Sequence, residues 1–400
     1  MKKLLLLGGS HFLLPVIREA KALGCHVITC DYLPDNVAHR YSDEYHNVSI
    51  TDMEAVLELA KRLRIDGIMS FACDPGVVTA AYVAEKLGIP STGPYDSVAL
   101  LQDKGRFRDF LRRNGFRVPF SKSYERKEEA MGDAFAFPVI VKPVDSAGSK
   151  GVSRADSMEE LSAAIDKALT FTRCHRFIIE DFIRQKGFAS DTECFSVDGE
   201  LRFVTWNNQY FDAQADNPYT PAGFTWPSTM EERHQRELTA ELQRLLRLLH
   251  MGSTVYNVEA RVGTDDKPYL MEVSPRGGGN RLCEMVQFTT GAPLIRNAVK
   301  AALGMELEPM EGPHYSGHWS YIALHSYESG LFRGLELDEG ARAALRDEDL
   351  WVRTGDRVEA FSGANKTIGT LVFDWPSQEE RDRRMGNIPA WLKVLVEVEA

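Results

Sequence analysis

Cysteine is sparse in this chain: six in 400 residues, at positions 25, 30, 73, 174, 194 and 283, with no C-x-x-C pair. That scatter excludes a disulfide framework and a cysteine zinc site, and it suits reduced thiols in a cytoplasm. Basic residues are in deficit, with 47 Lys and Arg against 58 Asp and Glu and a net charge of −11. A chain without basic excess cannot neutralise a nucleic-acid backbone, although a local basic pocket for a small phosphate stays compatible with it. Long apolar runs are missing, and nothing approaches the roughly eighteen consecutive apolar residues of a membrane span. The four leucines after Met1-Lys2-Lys3 stop at Gly8-Gly9, too soon for a signal peptide, and are expected to form a buried strand. Gly8-Gly9-Ser10 is not G-x-G-x-x-G, so it is a weak dinucleotide signal. His314 and His318 have the spacing of two helical metal ligands, but Pro313 and Gly317 argue against a helix there. No internal repeat or low-complexity stretch is present.

What remains is ordinary globular composition, 44% apolar and 26% charged. The length suits roughly two to four domains. Residues 3–98 alternate strands (4–7, 26–30, 67–71) with helices (15–23, 53–63, 77–87), the βαβ pattern of a parallel sheet. One helix is predicted over 97–114. An apolar strand at 137–143, a loop rich in glycine and serine, a helix at 158–169 and a strand at 177–183 follow. Strands are predicted at 192–198 and 201–206 around Gly199-Glu200, then a long aromatic loop over 206–229 and a helix over 231–249. Strands at 254–262 and 268–273 pair across a short turn, and a helix is expected over 293–303. Short strands at 357–361 and 367–373 suggest a small β-rich lobe after about residue 312. The expected division is 1–98, 99–311 with a lid at about 120–185, and 312–400: an α/β and α+β architecture.

The chemistry lies in the middle of the chain. Lys142 ends an apolar strand, where lysine is seldom buried without a partner. Directly after it, Ser146, Gly148, Ser149, Lys150 and Gly151 offer amides, hydroxyls and an ammonium able to close around a polyphosphate. Glu259 and Glu272 fall on two strands joined by a tight turn. Alternation puts Asn257, Glu259 and Arg261 on one face, and Glu272 shares a face with Ser274. Paired carboxylates repel unless a cation sits between them, and such oxygen ligands suit Mg²⁺, or Mn²⁺ in its place. Arg276 stands just beyond and can stabilise charge on a transferred phosphoryl group. Gly277, Gly278, Asn280 and Arg281 follow, either as a turn that approaches a second substrate or as a flexible turn before a helix.

Taken in order, Lys104, Lys142, the 146–151 loop, Glu180-Asp181-Phe182-Ile183, Glu259 and Glu272-Val-Ser-Pro-Arg276 resemble the ATP-grasp superfamily. The likeness covers roughly residues 1–310 and is closest in kind to the carboxylate–amine ligases, such as glycinamide ribonucleotide synthetase, and to the carbamoyl-phosphate synthetase large subunit. It implies a Rossmann-like N-terminal domain, an ATP-grasp domain and a small closing lobe. It also implies ATP phosphates on Lys104, Lys142 and the loop, and adenine beside the hinge of Glu180, Asp181, Phe182 and Ile183. Ribose would lie on Glu193, with Asp191 as the alternative. Glu259 and Glu272 would hold Mg²⁺, Lys142 and Arg276 would act in catalysis, and Gly277, Gly278, Asn280 and Arg281 would meet the acceptor. Ser274 stands where the family usually has asparagine, as a metal or metal-bound-water ligand. The activity implied is activation of a carboxylate by MgATP as an acyl phosphate, then C–N bond formation with a small amine. A homodimer is the common arrangement. Carboxylation, a carbamoyl-phosphate-type reaction or a non-catalytic nucleotide-binding regulator are the alternatives.

Overall fold

Four short strands open the chain and pair in parallel, in the order Glu44–His46, His26–Cys30, Lys3–Leu7, Gly67–Ser70. The protein was described from a computed structural model covering residues 1–146 and 148–398. Leu4 to Leu7 are buried on both faces of this sheet, which is why they read as an unbroken apolar run. Helices Leu14–Ala22, Met53–Leu63 and Asp74–Leu87 pack around it. Met53–Leu63 starts where the Asp52 carboxylate accepts the Ala55 N–H and ends at Arg64 in the left-handed region. The carboxyl ends of strands Lys3–Leu7 and Gly67–Ser70 deliver residues 8–12 and 71–74 to one edge, the usual ligand edge of a parallel sheet.

The helix expected over 97–114 is two helices, Tyr95–Gln102 and Lys104–Arg113. Asp103 adopts an extended backbone between them and its side chain accepts the Arg106 N–H, so it caps the second helix instead of continuing the first. The break sets Lys104 at a helix start, with its N–H donated to the Val144 carbonyl.

Strands Ser121–Tyr124, Phe177–Asp181, Val139–Pro143 and Ser153–Ala155 form an antiparallel sheet, covered by helix Met158–Thr170 through Leu161, Ala164, Ile165 and Ala168. A second antiparallel sheet has the order Glu200–Val204, Ser190–Val197, Thr254–Val262, Pro268–Ser274. One face of it (Tyr256, Val258, Ala260) packs with Leu238, Leu242, Leu245 and Leu246 of helix Glu232–Leu248. The opposite face is apolar at Val255 and Phe195 and polar from Asn257 through Arg261.

The aromatic stretch expected as a loop over 206–229 instead carries strands Asn208–Phe211 and Pro221–Trp226. They join Trp319–Leu324, Gly369–Asp374 and Leu345–Leu350 in a five-stranded sheet, so the middle of the chain and its tail share a sheet. The tail also holds Arg357–Val358, Gly330–Leu337 and Leu392–Glu397 in a three-stranded sheet, of which only the first was expected. Strands Pro221–Trp226 and Trp319–Leu324 are buried along almost their whole length, which erases the period-two signal. The six cysteines are unpaired. Among the described residues, no helix is long and apolar enough to cross a membrane.

Candidate active site

Two rows of polar side chains cross the polar face of the sheet built on Thr254–Val262. Register places Asp191, Glu259 and Glu272 side by side on three adjacent strands, and Glu193, Asn257 and Ser274 side by side one step away. A bulge follows the first row, since Glu259 pairs with Glu272 but Ala260 pairs with Leu270. That bulge keeps both glutamates on one face.

Three neighbouring carboxylates repel unless a proton or cation lies among them. Burial, with Glu259 beside it, pushes Asp191 up to about 7. Glu259 resists burial and stays below the ordinary carboxylate range because Arg261 donates to it at 2.7 Å. Glu272 pairs with the Lys104 ammonium at 3.2 Å. Lys104 also donates to the Ser146 carbonyl at 2.9 Å, which ties the carboxylate row to the start of the glycine loop. This all-oxygen donor set, short of positive charge, fits Mg²⁺.

Lys142 and Glu180 form the opposite wall. Glu180 is 2% exposed and pairs with Lys142 at 2.5 Å and with the buried Arg108 at 2.7 Å. Burial opposes its charge, but the two cations hold Glu180 at about 2. Lys142 is held below the ordinary lysine range by burial, with the Arg108 and Lys104 charges adding to it despite Glu180. One carboxylate therefore serves two cations, the buried Arg108 and the partly exposed Lys142, which leaves this wall with an excess of positive charge.

Arg276 makes a two-pronged pair with Asp74, its Nε donating to Oδ1 at 2.9 Å and its Nη2 to Oδ2 at 2.8 Å. Ser274 donates to Asp74 Oδ1 at 3.0 Å and accepts from Gln102 Nε2 at 2.8 Å. Its hydroxyl thus bridges the parallel-sheet unit and the helix break.

The glycine loop has Gly148, Ser149 and Gly151 at positive φ; Ala147 lies outside the described residues. Ser149 donates its hydroxyl to the Tyr219 carbonyl at 2.9 Å and accepts from Asn217 Nδ2 at 3.1 Å. The loop is therefore closed against the hairpin between Phe211 and Pro221. In the hinge, the Asp181 and Phe182 N–H groups are bonded to the Phe120 and Pro138 carbonyls. Strand Phe177–Asp181 ends there, leaving Phe182 and Ile183 outside it.

Glu193 lies in the second row, opposite Asn257. It is fully buried, its Oε1 accepts from Gly278 N–H at 2.9 Å and its Oε2 from Cys283 Sγ at 3.1 Å. Burial, against the Cys283 bond and Arg276, pushes it up to about 8. Gly278 is tightly packed: a Cβ there would lie 2.5 Å from Glu193 Oε1 and 2.9 Å from Asn257 Nδ2, so those side chains would have to shift. Gly277 is similarly crowded by the Phe71 ring, and its carbonyl accepts the Ala72 N–H at 2.9 Å. Asn280 and Arg281 both have positive φ, and helix Leu282–Thr290 follows directly. Asn280 accepts from the Tyr321 hydroxyl at 3.4 Å. Arg281, expected to meet the acceptor, is engaged by Glu284 and Asp347 of its own chain.

With this geometry in place, two family matches are decisive. Residues 101–280 match the ATP-grasp domain, and residues 17–91 the ATP-grasp N-terminal domain. The chain belongs to the ATP-grasp family. Its relatives include the formate-dependent phosphoribosylglycinamide formyltransferase of Parasynechococcus marenigrum (strain WH8102), 31% identical over 189 residues, or 46% of this chain and 48% of that enzyme. The chain thus spans about half the length of the relatives it matches at just over 30% identity. The enzyme of the same description from Bacteroides thetaiotaomicron is 23% identical over 389 residues, 96% of each chain. In fold alone, the L-amino acid ligase from Bacillus licheniformis superposes with a TM-score of 0.82 at 19% identity, covering 99% of each chain.

In this ATP-grasp protein Lys104, Ser146, Glu259, Glu272, Ser274 and Arg276 are linked by contacts or register, with Lys142 and Glu180 facing each other. Lys150 is exposed. His314 and His318 are not on a helix. The cluster Glu231, His234 and Asp266 lies elsewhere and is already laced by Lys186 and Arg233. Sequence reasoning missed Asp74, Gln102 and Arg108. Arg108 carries a readable signal, since it stands one residue from Phe107 in the buried stripe that continues at Leu111. Asp74 opens a helix just after a buried strand, where parallel sheets meet their ligands.

Proposed function

We propose that this protein is an ATP-dependent carboxylate–amine ligase. The observation that carries the reading is the Asp191–Glu259–Glu272 row set near Lys104, with Lys142 on the opposite wall and Arg276 two residues beyond Ser274. Lys104, Lys142 and the loop of Ser146, Gly148, Ser149, Lys150 and Gly151 receive the phosphates of ATP. The backbone of Asp181, Phe182 and Ile183 lies beside adenine, while the Glu180 side chain is committed to Arg108 and Lys142. Glu259 and Glu272 would hold Mg²⁺, or Mn²⁺, which would supply neutralisation of phosphate charge, and Ser274 braces that site through Asp74.

The substrate carboxylate oxygen attacks the γ-phosphorus and the bond to ADP breaks, leaving an acyl phosphate. Arg276, oriented by Asp74, faces the charge that develops. A neutral amine nitrogen then attacks the acyl carbon, phosphate leaves, and the nitrogen gives up a proton. The closed glycine loop keeps water from the intermediate. Glu193 holds the Gly278 N–H, and so fixes the turn on the acceptor side instead of binding ribose.

ADP and phosphate release with MgATP, measured against a panel of carboxylates and amines, tests this reading. Hydroxylamine should trap the acyl phosphate as a hydroxamate once the correct acid is present. Bicarbonate-dependent release without hydroxamate would instead favour carboxylation, and nucleotide binding without turnover a regulator.

A further inference from the structure

Four segments converge on the acceptor side of the site: residues 8–12, 71–74, 276–281 and 347–351. Phe12 lies 3.7 Å from where a Cβ on Gly279 would stand, and its ring meets Trp351 edge-on at 5.5 Å. Trp351 also stacks on His11, centroids 4.5 Å apart and planes 11° apart, and donates its Nε1–H to Asp349 at 3.0 Å. Gly8 approaches Cys73, and Ala72 bonds to Gly277. The wall is thus made from both ends of the chain and its middle.

Its charge is lopsided. Within these segments the permanent cations are Arg276 and Arg281, and the carboxylates are Asp74, Asp347 and Asp349, with Glu348 on the other face of its strand; Arg346, the next residue along, approaches Asp374 at 4.0 Å. Arg276 is taken by Asp74, and Arg281 by Glu284 and Asp347. Burial holds His11 below the ordinary imidazole range, with Asp349 opposing, so it is neutral at pH 7. A phosphate brought here would find no unpaired cation in these segments and would face carboxylates instead. An ammonium group would find Asp349, and an apolar body would find Phe12 and Trp351.

We infer that the acceptor is an unphosphorylated amine with an apolar or aromatic body, bound against Phe12 and Trp351 with its ammonium toward Asp349. This rests on the ligase reading for its chemistry, because the amine must shed a proton before attack. It separates the chain from relatives whose names carry a phosphoribosyl substrate.

The experiment is calorimetric titration of the full chain with phenylalaninamide, O-phosphoserine and glucosamine 6-phosphate, with MgADP present. Phenylalaninamide should bind at least tenfold more tightly than either phosphorylated amine. Trp351→Ala and Asp349→Asn should each weaken it at least fivefold, Trp351→Phe should largely restore it, and MgADP affinity should not change. Tighter binding of a phosphorylated amine, no binding by phenylalaninamide, or an unaltered Trp351→Ala protein would each overturn the inference. Hydroxamate formation is scored separately: its absence alongside phenylalaninamide binding sinks the reaction but leaves the pocket, and its presence with a phosphorylated preference does the reverse.

Discussion

Replacing Glu180 with glutamine removes the carboxylate paired with the buried Arg108 and the partly exposed Lys142. Arg108 is 1% exposed and its two terminal nitrogens have no hydrogen-bond partner, so it has nothing else to turn to. Breaking a buried ion pair by removing one partner costs about 3–5 kcal/mol, because the remaining charge stays desolvated. The depressed Glu180 carboxyl points the same way: held at about 2 instead of 4.5, it favours its charged form by about 3 kcal/mol. Since the folded value is depressed, this stability is complete above about pH 4.5 and lost as pH falls toward about 2. For a unit the size of the ATP-grasp region, each kcal/mol moves the thermal midpoint by about 2–4 °C, so Glu180→Gln should melt roughly 6–20 °C lower. Circular dichroism melts at pH 7 with and without Arg108→Met decide the matter. The double variant should recover a good part of the loss, because a buried pair replaced by neutral groups is often close to neutral. A single variant that melts within about 3 °C of the parent would refute the charge-anchor role and return Glu180 to the nucleotide.

Arg276→Lys cannot reproduce the two-pronged contact with Asp74, and kcat should fall about 10²-fold or more while the melting curve is kept, as read by steady-state ADP release. Asn217→Ala removes one of the two bonds that hold Ser149 to the hairpin, about 1 kcal/mol, and should raise KM for ATP about fivefold with little change in kcat. Gly278→Ala drives a methyl into Glu193 and Asn257 and should abolish amine-dependent turnover, whereas Gly279→Ala, with its nearest neighbour at 3.7 Å, should melt like the parent. Asp191 is raised, so its share of stability is present below about pH 4 and lost as pH rises through about 7; the nucleotide-free melting point should drop over that window, and Asp191→Asn should flatten the slope.

The parallel sheet was legible because its strands and helices alternate with clean apolar periods, and His26–Cys30 and Met53–Leu63 fall on the predicted residues. The paired glutamates were legible for the same reason: period two along Thr254–Val262 separates Tyr256, Val258 and Ala260 from Asn257, Glu259 and Arg261. Where strands are buried on both faces, as in Pro221–Trp226, the period vanishes and aromatic residues read as a loop. The helix break at Asp103 was hidden because a capping aspartate looks like any exposed helical one until its partner, the Arg106 N–H, is known. Asp74 and Arg276 are 202 positions apart, and no local pattern announces such a pair.

Charge explains why the site needs all of these segments. The sheet face carries Asp191, Glu259 and Glu272 against Lys104 and Arg261, an excess of negative charge that adds to burial in pushing Asp191 toward its protonated form. The facing wall carries Arg108 and Lys142 against Glu180 alone, an excess of positive charge that adds to burial in lowering Lys142. Each wall is frustrated on its own, and neither imbalance can be relieved by moving the walls together, since Lys104 already serves Glu272 and Glu180 is locked behind Lys142. A metal–nucleotide pair supplies a cation to one wall and phosphates to the other at the same moment. Its binding should therefore be cooperative between metal and nucleotide, with neither component alone removing both strains.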